Sequence, residues 1–178
     1  MPAIRADLPA AEWQLSEVGR QRCLPLAEAL KVHKPAFIVT SREPKAIETG
    51  LLVAAELNLP VGEHADLHEH DRRGVPLMRS REAFEALVTR LFREPEHLVF
   101  GRETGAEARA RFTAAVEAVM ERHREGNLAI VSHGTVITLY VAEGTGLEPV
   151  PFWRALGLPA FVVLSWPTLK MQRVVWRV

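Results

Sequence analysis

Apolar residues along the chain fall into two alternating kinds of run. Short runs rich in β-branched residues, "AFIVTS" (36–41), "NLAIVS" (127–132) and "AFVVLSW" (160–166), have the length and composition of buried strands. Longer stretches lie between them with apolar residues at helical spacing. "EPKAIETGLLVAAELNL" (43–59) brings Ala46, Leu51, Ala54, Ala55 and Leu57 to one side, and Pro60 stops it. Ser16 reads as the N-cap of a helix from Glu17 to about Leu30, and Ser80 as the cap of "REAFEALVTRLFRE" (81–94). Thr104 with Glu107 forms a capping box ahead of a helix reaching about Arg124. A strand from about Val61 to Leu67 leads into the polar turn "HEHDRRGVP" (68–76), and "QRVVWRV" (172–178) comes after a turn through Pro167. Residues 1–15 carry Pro2 and Pro9 without a sustained period and read as an irregular lead-in.

Strands alternating with helices define an α/β chain, a three-layer α/β/α arrangement with a mostly parallel sheet. The closely spaced final pair adds an antiparallel edge.

Composition narrows the function classes. At 178 residues the chain is one domain, 1–178, able to bury a core without disulfides or a structural metal. The 22 basic residues balance 22 acidic ones, so no global field draws it to nucleic acid or an anionic membrane. Neither a bilayer-spanning run nor a signal peptide is evident, and the single Cys23 reads as a packing residue. These features predict a cytoplasmic protein; they leave homo-oligomerisation open.

Within "AIVSHGTVITLYV" (129–141) a strand runs into Ser132, His133 and Gly134, and a helix begins there. His133 therefore stands on a strand-to-helix turn, at the sheet edge where α/β proteins bind ligands and where helix N–H groups are free to meet an anion. Position alone leaves two readings: an anion ligand, or a turn histidine bonded to backbone.

Further segments complete a pattern. Leu15-Ser16-Glu17-Val18-Gly19, "TSREPKAIETG" (40–50), Leu67-His68-Glu69, "GRETGAEARAR" (101–111) and Ser132-His133-Gly134 occur in order. Together they resemble the histidine phosphatase superfamily, whose fold is shared with the cofactor-dependent phosphoglycerate mutases. The resemblance covers nearly the whole chain. It implies that His133 is one of two histidines gripping a phosphoryl group, with Glu69 the proton donor to the leaving oxygen. It also implies that Lys45 and Gly134 join His133 in binding phosphate. Lys45 stands where most relatives have Arg, which keeps the charge and loses the bidentate fork. The implied activity is a phosphomonoesterase on a small phosphorylated substrate, without cofactor or metal. The substrate's identity stays open; the segment 72–102, where relatives vary, would shape its pocket.

The family's opening strand ends in Arg-His-Gly or Arg-His-Ala and supplies the histidine that carries the phosphoryl group. Residues 1–20, "MPAIRADLPAAEWQLSEVGR", resemble the stretch immediately C-terminal to that motif. His33 lies ahead of a strand and cannot replace it. The expectation is a motif upstream of Met1, with residues 1–178 inactive alone. The alternatives are a phosphate-binding pseudoenzyme, a phosphoglycerate mutase, and a metal site built from His64, His68, Glu69 and His70.

Overall fold

The computed structural model describes residues 1–76, 78 and 80–178. Its first half alternates as expected: α1 (Glu17–Gln21), α2 (Cys23–Lys31), β1 (Pro35–Thr40), α3 (Pro44–Leu57) and β2 (Val61–Glu63). The second half holds α4 (Arg81–Arg93), α5 (Gly105–Arg122), β3 (Asn127–Val131), α6 (Gly134–Thr145), α7 (Pro149–Ala155), β4 (Phe161–Leu164) and β5 (Met171–Val175).

Local signals acted where they were read. Ser16 Oγ accepts from the Gly19 N–H at 3.1 Å, Ser80 caps α4, and Thr104 with Glu107 closes a reciprocal capping box on α5. Asn58, in the left-handed conformation, ends α3 two residues before Pro60. Three expectations need correction. The helix from Glu17 to Leu30 is two helices meeting at Arg22, because Pro25 lacks an N–H and its ring crowds the carbonyl four residues back, at Gln21. The strand from Val61 ends at Glu63; the His64 ring accepts the Asp66 N–H and caps a 3₁₀ turn, Ala65–Leu67, that drops Leu67 into the core. Residues 149–155, which the apolar pattern left without an element, form α7, with Pro149 and Pro151 tolerated in its first turns.

β1 is the centre of a parallel sheet ordered β2-β1-β3, and β4 and β5 form a separate antiparallel pair. Alternating side chains send Val39, Leu128, Ile130, Val162 and Leu164 into one apolar cluster with α4, α5, α6 and α7. Ile38, Ala129, Val131 and Phe161 go to the other face, with α2 and α3. The layers are therefore continuous across both sheets while the sheets themselves are not. A cavity of about 1620 Å³ runs through the molecule, passing between residues 128–131 of β3 and 161–164 of β4 and reaching Glu43, Lys45 and residues 68–73.

Candidate active site

The carboxyl ends of β1 and β3 bring distant segments together. Ser41 comes directly after β1, and its N–H donates to Val131 O at 2.9 Å. Glu43 opens α3, while Ser132 and His133 connect β3 to α6. The loop after β2 is drawn in by Ser132 Oγ, which donates to Leu67 O at 2.7 Å.

His133 is 7% exposed, its Nε2 2.6 Å from Ser41 Oγ and 3.4 Å from a Glu43 carboxylate oxygen. Burial pulls the imidazole down to about 4 despite the opposing pull of Glu43 and Glu69, so the ring is neutral at pH 7.

Glu69 lies across the first turn of α6. Its carboxylate accepts from the backbone N–H of Thr135 and Val136, each at 3.2 Å, and of His70 at 2.9 Å. Arg72 stands 3.2 Å from the same group. Burial pushes this carboxyl up, but Arg72, His133 and the N–H donors outweigh it and hold it at about 2. An anion thus occupies the helix N-terminus, and the anion belongs to the chain.

Lys45 is at the same edge with its charge engaged. Its ammonium donates to Ala10 O at 2.8 Å and pairs with Glu43. Glu43 in turn accepts the Glu69 N–H at 2.8 Å and faces His133, linking three of the sequence-selected positions. Gly134 is the first residue of α6; a Cβ there would meet Trp153 at ordinary contact distance, 3.5 Å.

Sequence reasoning missed Ser41, Glu43 and Arg72 as site residues, although all three stand within or next to the segments it singled out. It also missed Arg111. This guanidinium donates to the carbonyls of Asp66, His68 and Glu69 at 2.7, 3.0 and 3.2 Å, and pairs with Glu103 at 2.6 Å. Glu103 accepts the Asp71 N–H, and its own carbonyl is bonded to the His70 ring. The loop bearing Glu69 is therefore gripped through its backbone.

The histidines weighed as metal ligands are engaged separately. The His64 ring accepts from the Asp66 N–H, His68 Nδ1 is paired with Glu69 O, and His70 Nε2 with Glu103 O. Among the described residues no group of three or more His, Cys, Asp or Glu side chains is arranged to hold a metal ion. Arg122-His123 stands where α5 leads towards the start of β3, the opposite edge from His133; its histidine ring lies 4.1 Å from that of Phe37.

A strand-to-helix histidine, an anion-occupied helix terminus and a buried carboxylate on a three-layer α/β fold agree with the family match. Residues 7–177 match the model of the histidine phosphatase superfamily, branch 1, and the chain belongs to that superfamily. Solved structures share its fold. A mycobacterial glucosyl-3-phosphoglycerate phosphatase in complex with inorganic phosphate is 24% identical with a TM-score of 0.69, over 98% of this chain and 91% of that one. The α-ribazole phosphatase from Shigella flexneri is 18% identical with a TM-score of 0.68, over 93% and 85%. A phosphoserine phosphatase mutant from Entamoeba histolytica, in complex with phosphoserine, is 13% identical with a TM-score of 0.70, over 92% and 85%. No curated protein sequence gives a match. No helix among the described residues is long and apolar enough to cross a membrane.

Proposed function

We propose that the protein is a phosphomonoesterase of the histidine phosphatase type, acting on a small phosphate ester. The observation that carries this reading is the Glu69 carboxylate seated on the N–H groups of Thr135 and Val136, beside His133. A helix terminus that holds a carboxylate can hold a phosphoryl oxygen instead.

Exchange of one anion for the other also explains how Glu69 serves as an acid. While it keeps three N–H donors and Arg72 it stays ionised at neutral pH. A phosphoryl group that takes over those donors removes the stabilisation and adds negative charge nearby, and both effects raise the carboxyl's pKa. The same dianion raises that of His133, whose imidazolium then neutralises an equatorial oxygen.

Attack comes from a histidine nitrogen, which in this reading is carried by an apolar strand ending in Arg-His and joined ahead of Met1. The nitrogen bonds to phosphorus as the P–O bond to the alcohol breaks, and protonated Glu69 gives its proton to that oxygen. Water then attacks phosphorus, the P–N bond breaks, and Glu69 takes the water's proton. Phe84, Trp153, Arg81 and Arg154 line the same cavity and would meet the remainder of the ester.

A second reading, a phosphate-binding pseudoenzyme, describes residues 1–178 on their own, since their Arg122-His123 pair is on the far edge of the sheet. Assays with p-nitrophenyl phosphate and 3-phosphoglycerate on the 178-residue chain and on one extended by such a strand test both. Turnover by the extended protein, abolished by Glu69→Gln, supports the phosphatase. Inactivity of both proteins leaves the pseudoenzyme, and turnover by the short chain alone places the nucleophile elsewhere and overturns the mechanism.

A further inference from the structure

The cations that line the cavity near Glu69 differ in what holds them. Lys45 gives its ammonium to Ala10 O and Glu43, and Arg73 is forked onto Asp71. Arg72 is placed otherwise. Its side chain is 23% exposed, and among the described residues its guanidinium meets one carboxylate, Glu69, whose Oε2 lies 3.2 Å away.

That oxygen is shared. Thr135 N–H donates to the same Oε2 at 3.2 Å, while Val136 and His70 N–H donate to Oε1 at 3.2 and 2.9 Å. A phosphoryl oxygen standing where Oε2 stands therefore meets the helix N–H and the guanidinium together. A guanidinium carries several N–H donors in one plane, so the donor aimed at that oxygen leaves others for a second one.

The guanidinium also has a hold that does not depend on Glu69. Its central carbon lies 5.0 Å from the centre of the Phe84 ring near the start of α4, and that ring meets Trp153 of α7 edge-on, with centroids 6.0 Å apart. A cation over an aromatic face is attracted to it. When Glu69 leaves the end of α6, Arg72 is kept beside it. Charge points the same way: Glu43 is already paired with Lys45, so moving Glu69 takes away the carboxylate that Arg72 faces, next to the place a phosphoryl dianion enters.

We propose that Arg72 is a phosphoryl-binding residue that changes partners, facing the Glu69 carboxylate before an ester enters and a phosphoryl oxygen afterwards, and that it supplies the planar fork Lys45 lacks. This rests on the phosphatase reading above and deepens it by naming a further residue that touches the substrate. The exchange has two effects. Phosphoryl charge is met by a guanidinium, and Glu69 loses the largest of the influences that keep its carboxyl ionised, burial itself acting the other way. Binding the ester and readying the acid become one movement.

The test is the affinity of the 178-residue chain for inorganic phosphate, measured by isothermal titration calorimetry in the parent, Arg72→Met, Glu69→Ala and the double variant. The two roles open to Arg72 give different signs. An arginine that only holds Glu69 would, on removal, loosen the carboxylate and let phosphate bind more tightly than to the parent, and its removal would change nothing once Glu69 is alanine. An arginine that receives the phosphoryl group should, on removal from Glu69→Ala, weaken binding roughly tenfold or more, as loss of a hydrogen bond between charged groups does. The second result is expected, and unchanged or tighter binding by the double variant overturns the proposal. Should that variant lose its native circular dichroism, Glu69→Ala with Arg72→Lys carries the test. The cation then stays and the fork is gone, so binding should weaken several-fold, and an affinity equal to that of Glu69→Ala overturns the proposal. Failure of the underlying reading looks different: phosphate then binds none of these proteins, or binds His133→Ala as well as the parent, and this inference falls with it.

Discussion

Ser41 Oγ lies 2.6 Å from Nε2 of His133, joining the residue after β1 to the residue that opens α6 across 92 positions of sequence. Both side chains are buried, so this hydroxyl is the histidine's principal polar partner besides Glu43. Ser41→Ala should destabilise the protein by about 1–3 kcal/mol, the cost of leaving a buried polar group short of a partner. Urea unfolding with an unchanged m-value checks it.

Acid should remove stability over two ranges of pH. His133 is held at about 4, below its ordinary value of 6.5, so between these pH values the unfolded chain binds a proton that the folded one refuses. Stability contributed by the neutral ring is full above 6.5 and lost as pH falls to about 4, by an amount on the order of 3 kcal/mol. Glu69, depressed to about 2 from 4.5, contributes stability present above 4.5 and lost as pH falls through 2. Denaturation from about pH 7 to 4 should show a flatter slope in His133→Asn, and a slope identical to the parent's would contradict the assignment.

Arg111 should matter to stability more than a surface arginine. It and Glu103 are 16% and 13% exposed, and three carbonyls of the Glu69 loop depend on it. Arg111→Met leaves a nearly buried carboxylate without its counter-charge, at a cost of about 3–5 kcal/mol. Adding Glu103→Gln should recover part of that loss. A double variant no more stable than the single one would show that the backbone contacts, not the charge, dominate.

Inorganic phosphate and vanadate should bind the 178-residue chain weakly, because each must displace Glu69 from α6. Millimolar phosphate should raise the melting temperature slightly in the parent, by more in Glu69→Ala, and not at all in His133→Ala. An equal shift in all three proteins would place the anion elsewhere.

Features set by neighbours in sequence were legible in it. Ser16, Ser80 and the Thr104–Glu107 box cap their helices through contacts three residues apart, and the β-branched runs around Ile38 and Ile130 became strands. The break at Arg22 was legible too, in Pro25, but the apolar period masked it. What resisted reading was set by distant partners. Lys45 looked like a free cation until Ala10 O and Glu43 were seen to hold it. Arg111 ended a loosely matched segment, and its hold on residues 66–69 depends on how α5 packs beside that loop. His133, Glu69 and Lys45 were chosen for their places after strands and share one edge, while the carboxylate's seat on α6 came from no local pattern.

That seat bears on how fast a catalyst of this kind could work. Glu69 is tethered within reach of the helix end it occupies, so it competes for that position at a high effective concentration whatever the solution contains. In the phosphatase we propose, an incoming ester would bind less tightly by the work of moving it, and a departing phosphate would leave sooner because the carboxylate returns behind it. A phosphatase gains from that exchange whenever product release limits its cycle. On that reading the chain would carry its own weak antagonist, one that sets an upper limit on affinity in return for throughput.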